Sequence, residues 1–172
     1  MKIGIFAGSF DPFTIGHASI VRRALPLFDK IVIGVGINER KNLMLNTDEK
    51  VKKIALLYAN EPKIEVKAYS DLTVSLAHRE HAQYFIKGVR SVKDFEYERE
   101  QADINQQIGG IETLFLFTEP ELASVSSSLV RELVHFGEDV SRFLPKGYTL
   151  KKIGKNNDFN DKNQLEIKTK QI

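Results

Sequence analysis

Short apolar runs alternate with amphipathic stretches along most of this chain. Four runs rich in β-branched and aromatic residues, and one stretch of alternating polar and apolar residues, predict five strands at residues 3–7, 30–37, 64–68, 84–88 and 112–117. Between and after them, apolar positions with helical spacing predict five helices at residues 18–25, 47–57, 71–77, about 91–107 and 126–136. Thr47 is the predicted N-cap of the second helix, and Ser91 or Asp94 that of the fourth.

Five strand–helix steps of this length predict an α/β fold. Parallel strands need crossover connections, which are right-handed, so we expect a Rossmann-like, doubly wound, parallel five-stranded sheet with helices on both faces. The composition becomes polar near the end of the chain, where residues 155–164 carry almost no apolar side chains. We therefore expect one domain over residues 1–153 and a polar, mobile tail over residues 154–172.

Composition narrows the class of protein. With 172 residues and 42% hydrophobic content, the chain is long enough for one domain with a substantial core. The net charge is only +2, which gives no case for a nucleic-acid surface, and the absence of Cys excludes disulfides and thiolate metal sites. No apolar run approaches a membrane span, and Met1-Lys2 leads directly into a strand. We expect a cytoplasmic protein that acts on neither nucleic acid nor membrane.

The connection between the first strand and the first helix carries the most distinctive residues, Gly8-Ser9-Phe10-Asp11-Pro12-Phe13-Thr14-Ile15-Gly16-His17. In an open parallel sheet this connection lies where phosphates bind, because the free N–H groups and the positive end of the helix dipole face it. Gly16 removes a side chain where a phosphate would approach, and His17 places an imidazole beside it. These features together predict nucleotide chemistry.

Polar or cationic groups follow every predicted strand, so they share the carboxyl edge of the sheet. Three cations, Lys41, Lys87 and Arg90, meet His17 and a serine cluster there, a combination that suits a polyphosphate ligand. Each feature alone has a simpler explanation: a structural histidine, solvated cations, a solvated helix residue at Glu98, or serines that only cap a helix. Their joint placement favours a functional site.

Several of these segments resemble a known family. Gly8-Ser9-Phe10-Asp11-Pro12 with Thr14-x-Gly16-His17 resembles the T/H-x-G-H signature of the nucleotidyltransferase superfamily, which class I aminoacyl-tRNA synthetases share. Lys41 and the blocks at residues 69–72, 87–98 and 125–132 extend the resemblance over about residues 1–150. They are similar to the phosphopantetheine adenylyltransferase family, in which Thr14 stands where related families usually carry a second His.

The resemblance implies transfer of AMP from ATP to 4′-phosphopantetheine, giving dephospho-CoA and pyrophosphate. It further implies a homohexamer, feedback binding of CoA, and Mg²⁺ that accompanies ATP rather than a metal site built by the protein. The implied catalytic residues are His17, Lys41 and Arg90. The residues implied to contact phosphopantetheine are Ser9, Lys41, Thr73 and Lys87. Those implied to contact ATP are Ser9, Phe10, His17, Gly88, Val89, Arg90, Glu98, Leu122, Ala123, Ser124, Val125, Ser126, Ser127 and Ser128.

Two alternatives stay open at this point. One is another small-molecule nucleotidyltransferase, such as an enzyme acting on nicotinate mononucleotide, against which Thr14 and the block at residues 94–98 count. The other is a non-catalytic nucleotide-sensing module, against which the intact His17 and Lys41 count. The chain also departs from the resemblance in four places: Lys87 stands where the family more often has Arg, Ser9 where Thr is commoner, Ala7 where Pro is common, and Leu122 where an aromatic residue is frequent.

Overall fold

A computed structural model describes residues 1–37 and 44–150 of the chain. The strands are β1 (Ile3–Gly8), β2 (Lys30–Gly36), β3 (Ile64–Tyr69), β4 (Tyr84–Val89) and β5 (Glu112–Phe117). The helices are α1 (Ile15–Ala24), α2 (Thr47–Leu57), α3 (Thr73–Arg79), α4 (Val92–Gly109) and α5 (Ser127–His135). Short 3₁₀ turns follow α1, precede α5 and lie near residue 142.

The five strands form one parallel sheet in the order β3-β2-β1-β4-β5. From β1 the chain winds outward through β2 and β3, returns to the other side of β1 as β4, and continues to β5. The predicted doubly wound sheet is confirmed. Its winding direction reverses between β1 and β4, which is where such sheets open a crevice for ligands at their carboxyl edge.

Both faces of the sheet are covered, which explains why its central strands are continuous apolar runs. Alternate residues of β2 point to opposite faces: Ile31, Ile33 and Val35 join the core beneath α1, α2 and α5, whereas Val32 joins the core beneath α3. All four are fully buried. The chain after α5 returns to the first of these cores and buries Tyr148 there.

Helix ends follow local capping chemistry and correct two predicted positions. α1 begins at Ile15, three residues before the predicted start, because the Thr14 side chain caps it; Gly16 and His17 therefore lie in the first turn of the helix and not in a preceding loop. The N-cap of α2 is Asn46, whose side-chain Oδ1 accepts from the Glu49 N–H, so the predicted cap Thr47 is the first helical residue. Ser91 caps α4, one of the two predicted alternatives.

Several predictions fall on residues outside the described ranges. These are Lys41, the domain boundary after residue 153 and the polar tail 154–172, and all of them stay predictions. Within the two described ranges, no helix combines the length and the apolar content needed to cross a bilayer.

Candidate active site

A cleft of about 390 Å³ opens at the carboxyl edge of the sheet, between β1 and β4. Its walls come from the β1–α1 connection, the first turn of α1, the end of β4, the first turns of α4, and the start of α5. The positive ends of α1 and α5 both face it, and unpaired N–H groups at helix N-termini favour anions. We call this cavity the first cleft.

A second cleft of about 360 Å³ adjoins the first on the β2–β3 side of β1. It is lined by the end of β2, by the end of β3 and the start of α3, and by four residues that the two clefts share, Ala7, Gly8, Ser9 and Lys87. The site can therefore hold two ligands that meet beside Ser9 and Lys87.

His17 is oriented by the helix that carries it. Its ring Nδ1 accepts a hydrogen bond from the Thr14 N–H at 2.9 Å, and the Thr14 hydroxyl lies 3.1 Å from the same nitrogen. Because Nδ1 is an acceptor, the neutral ring carries its proton on Nε2. The ring also lines the first cleft, so it offers a ligand an Nε2–H donor.

The surroundings of His17 keep this ring neutral. Its centroid lies 5.1 Å from that of Phe10 and 5.3 Å from that of Phe13. Burial among these rings and the positive charge of Arg90 lower the pKa of His17 to about 4. Near neutral pH His17 is therefore an uncharged hydrogen-bond donor and not an imidazolium.

Lys87 and Arg90, two of the predicted cations of the site, are each paired with a carboxylate of α4. Lys87 Nζ lies 2.9 Å from Glu98 Oε2. Arg90 donates through Nε and Nη2 to the two carboxylate oxygens of Asp94, at 2.7 and 3.2 Å. A fork of this kind fixes the plane of the guanidinium and leaves part of its donor set for a ligand.

The serine cluster at the start of α5 mainly builds the wall of the first cleft. Ser126 caps α5 by accepting from the Leu129 N–H at 3.1 Å, as the capping explanation of these serines predicts. Ser127 donates to the Pro12 carbonyl at 2.8 Å, and Ser128 accepts from Arg131 at 3.0 Å. The bond from Ser127 joins the start of α5 to the β1–α1 connection, and the other two order the first turns of α5, so a ligand meets a preformed wall.

Gly16 and Gly88 both line the first cleft but for different reasons. A Cβ added at Gly16 would lie 3.5 Å from the nearest atom beyond its adjacent residues, the Thr14 hydroxyl oxygen, so protein packing does not require glycine there. A Cβ at Gly88 would lie 2.8 Å from the Ile20 side chain, which shows that α1 packs directly on β4 at this point. Glycine at position 16 therefore leaves space for a ligand.

Most of the residues predicted for the site lie together in the structure. Those lining the first cleft are Ser9, Phe10, His17, Lys87, Gly88, Arg90, Glu98, Val125, Ser126, Ser127 and Ser128. Thr73 lines the second cleft, where its hydroxyl lies 3.2 Å from that of Tyr69. The predicted ATP contacts Val89, Leu122, Ala123 and Ser124 line neither cleft, and their role stays a prediction.

Sequence reasoning gave no role to several residues that shape the site. Asp94 has no predicted role beyond a possible helix cap and its place in the block at residues 94–98, yet it holds Arg90. Arg131 also lines the first cleft and donates to the Asp11 carbonyl at 2.7 Å. The sequence signal for Arg131 was its position, one helical turn after the serines at the start of α5.

Comparison with known proteins assigns the chain to a family. The cytidylyltransferase-like family model matches residues 5–133. The chain is 53% identical over 147 residues to the phosphopantetheine adenylyltransferase of Phocaeicola vulgatus, covering 86% of this chain and 97% of that protein. It is 52% identical over 147 residues to the protein of the same name from Bacteroides fragilis, covering 86% and 98%.

A solved structure shares the fold at much lower identity. It is a bifunctional NMN adenylyltransferase/ADP ribose pyrophosphatase from Francisella tularensis, complexed with AMP and a manganese ion. The TM-score is 0.64 at 12% sequence identity, and the match covers 83% of this chain and 44% of that one. The two chains therefore share a fold, and by its sequence this chain belongs to the cytidylyltransferase-like family and, within it, to the phosphopantetheine adenylyltransferases.

Proposed function

We propose that this enzyme transfers AMP from ATP to 4′-phosphopantetheine and releases dephospho-CoA and pyrophosphate. One observation carries the proposal: two adjoining clefts share Ser9 and Lys87 at the carboxyl edge of the sheet. ATP occupies the first cleft and phosphopantetheine the second, so that the acceptor phosphate and the α-phosphate of ATP meet at the shared wall. The names of the relatives support this choice of substrates.

The reaction is an in-line displacement at the α-phosphorus. An oxygen of the acceptor phosphate forms a bond to this phosphorus while the bond to the bridging oxygen of pyrophosphate breaks. The nucleophile is already anionic, so no protein base is needed, and the protein contributes mainly by positioning the reactants and stabilising charge. His17 donates its Nε2–H to the α-phosphate as negative charge builds on the non-bridging oxygens. Lys41, which lies outside the described residues, would bridge the α-phosphate and the acceptor phosphate.

The paired cations act without leaving their carboxylates. Arg90 uses Nε and one terminal nitrogen on Asp94, so its remaining donors bind the β- and γ-phosphates that depart as pyrophosphate. Lys87 lines both clefts and contacts Glu98, so it binds the acceptor phosphate at the wall between the substrates. As a lysine it acts as a point charge and not as a planar fork.

Magnesium enters with ATP as part of the substrate. The described residues offer no group of three His, Asp or Glu side chains that could hold a divalent ion. Asp94 and Glu98, the carboxylates that line the first cleft, are each already paired with a cation. Mg²⁺ would thus be held by the phosphates and water, its usual mode with nucleotides.

Assembly, regulation and location complete the proposal. We infer a homohexamer, supported by exposed apolar residues on α4, which include Tyr97, Ile104 and Ile108 at 49–63% exposure. CoA contains both the phosphopantetheine arm and an adenine nucleotide, so it fits the two clefts together and would act as a feedback inhibitor. We place the enzyme in the cytoplasm, where ATP is available. Light scattering of the purified protein and inhibition kinetics with CoA test the first two points.

The substrate assignment is tested by measuring pyrophosphate release from ATP with phosphopantetheine or nicotinate mononucleotide as the acceptor. Turnover with phosphopantetheine is expected. Turnover with nicotinate mononucleotide alone would identify a different small-molecule nucleotidyltransferase. Binding of ATP without release of pyrophosphate for either acceptor would instead indicate a nucleotide-sensing module.

A further inference from the structure

Lys50 is a lysine with no solvent exposure, placed beneath the wall that the two clefts share. It lies in the first turn of α2, and its Nζ donates to the Ser9 carbonyl oxygen at 3.0 Å. Lys50 lines neither cleft, so it does not contact a ligand. Ser9, the residue it holds, lines both.

Asp11 provides the negative charge near this buried ammonium. The residue is 2% exposed, and its carboxylate accepts from the Met44 and Leu45 N–H groups at 3.0 and 3.1 Å. Burial lowers the pKa of Lys50, and the charge of Asp11 opposes that effect. Asp11, in the β1–α1 connection, thus bonds to the residues just before α2, and Lys50, in α2, bonds back to Ser9 of the same connection.

Stability alone does not account for a lysine at this position. Removing an ammonium from water is costly, and replacing a whole buried charge pair with apolar side chains of similar volume is often neutral or stabilising, whereas loss of one partner leaves the other charge, here that of Asp11, uncompensated. Methionine has nearly the length of lysine and would fill the space without the cost of removing an ammonium from water. What methionine cannot do is donate a hydrogen bond to the Ser9 carbonyl.

We propose that Lys50 is a positioning residue for adenylyl transfer, acting by fixing Ser9 at the junction of the two substrates. The inference rests on the proposed function, since Ser9 matters in this way only if two ligands react across it. Loss of the bond would let Ser9 shift while each cleft keeps its other contacts. The rate of transfer should therefore fall more than the affinity for either substrate, because transfer depends on the alignment of both.

The test is a double-mutant cycle with Lys50→Met, Ser9→Ala and the combined variant, measured with saturating ATP and phosphopantetheine. We expect Lys50→Met to lower kcat by about 10- to 100-fold with less than about threefold change in either KM. If Lys50 acts through Ser9, the combined variant should lose little more than the worse single variant. Additive losses in kcat would overturn the proposal, as would an unchanged kcat in Lys50→Met.

Lys53→Met is the matched control. Lys53 lies one turn later on the same helix, and its Nζ also donates to a backbone carbonyl, that of Thr149 at 2.8 Å, but it lines neither cleft. Its kcat should stay within about twofold of wild type. If Lys50→Met does not fold, Lys50→Gln, too short to reach the Ser9 carbonyl, takes its place in the cycle with the same expectations. Absence of transfer by the wild-type protein would count against the proposed function instead.

Discussion

Replacing His17 separates two roles that the structure gives to opposite sides of one ring. Nδ1 accepts from the Thr14 N–H at 2.9 Å and completes the cap of α1, whereas the Nε2–H remains available to a phosphate in the first cleft. His17→Ala removes both functions. Asparagine and glutamine each keep one, because the asparagine oxygen can take the place of Nδ1 and the glutamine amide nitrogen can reach the place of Nε2.

The expected losses differ between the two variants. Losing one preorganised donor to a developing oxyanion costs about 10²–10³ in kcat, or about 2.7–4 kcal/mol, which we expect for His17→Asn. The Thr14 side chain still caps α1 in His17→Gln, and glutamine at this third helical position can itself accept from the Thr14 N–H. His17→Gln should therefore lose at most that one hydrogen bond, about 0.5–1.5 kcal/mol of folding stability. His17→Asn should therefore be slow, and His17→Gln should be the faster of the two at little cost in stability.

The assay pairs steady-state release of pyrophosphate with urea unfolding of the same preparations. KM for ATP in His17→Asn should change much less than kcat, because the donor acts most strongly in the transition state. A folded His17→Asn variant with wild-type kcat would refute the donor role. Equal losses of kcat in the two variants would show that ring shape matters and not the Nε2–H.

Three further predictions concern pH, the glycines and the tail. Between pH 6.5 and 4, His17 binds a proton in the unfolded chain but not in the folded chain. The free energy of unfolding should therefore fall by up to about 3 kcal/mol as the pH falls through that window. Urea unfolding of His17→Asn over the same window should lack this component, and an unchanged pH dependence would contradict it. Gly16→Ala should leave stability unchanged or raise it by up to about 1 kcal/mol while weakening ATP binding by calorimetry. Gly88→Ala should lower the free energy of unfolding, measured in urea, by about 1–3 kcal/mol. A larger loss of stability in Gly16→Ala than in Gly88→Ala would contradict the packing argument. Truncation after residue 153 should preserve both activity and the assembly mass by light scattering, and a lower mass would assign the tail to the oligomer interface.

The sheet and much of the site could be predicted because both depend on local pattern. Central parallel strands are buried on both faces, so β2 is a continuous apolar run that the sequence displays directly. The sheet topology then brings Ser9, His17, Lys87 and Arg90 to one edge whatever the details of packing. Spacing along the chain was enough for these assignments.

Contacts between distant parts of the chain could not be predicted in the same way. Ser127 reaches the Pro12 carbonyl across 115 residues, and the Asp11 carboxylate finds its N–H partners beyond residue 43. Lys50 has the sequence appearance of an ordinary charged helix residue, and only the packed structure shows that it is buried. The start of α1 was misplaced because His17 completes a capping box with Thr14, so a residue assigned to chemistry also shapes the helix.

The most direct test of adenylyl transfer follows the oxygen atoms of the acceptor. The purified protein is incubated with MgATP and with phosphopantetheine whose phosphate carries ¹⁸O. The ¹⁸O content of both products is then measured by mass spectrometry. In-line attack by the acceptor phosphate predicts dephospho-CoA that retains every labelled oxygen, together with unlabelled pyrophosphate. Absence of dephospho-CoA, or label in the pyrophosphate, would contradict the account.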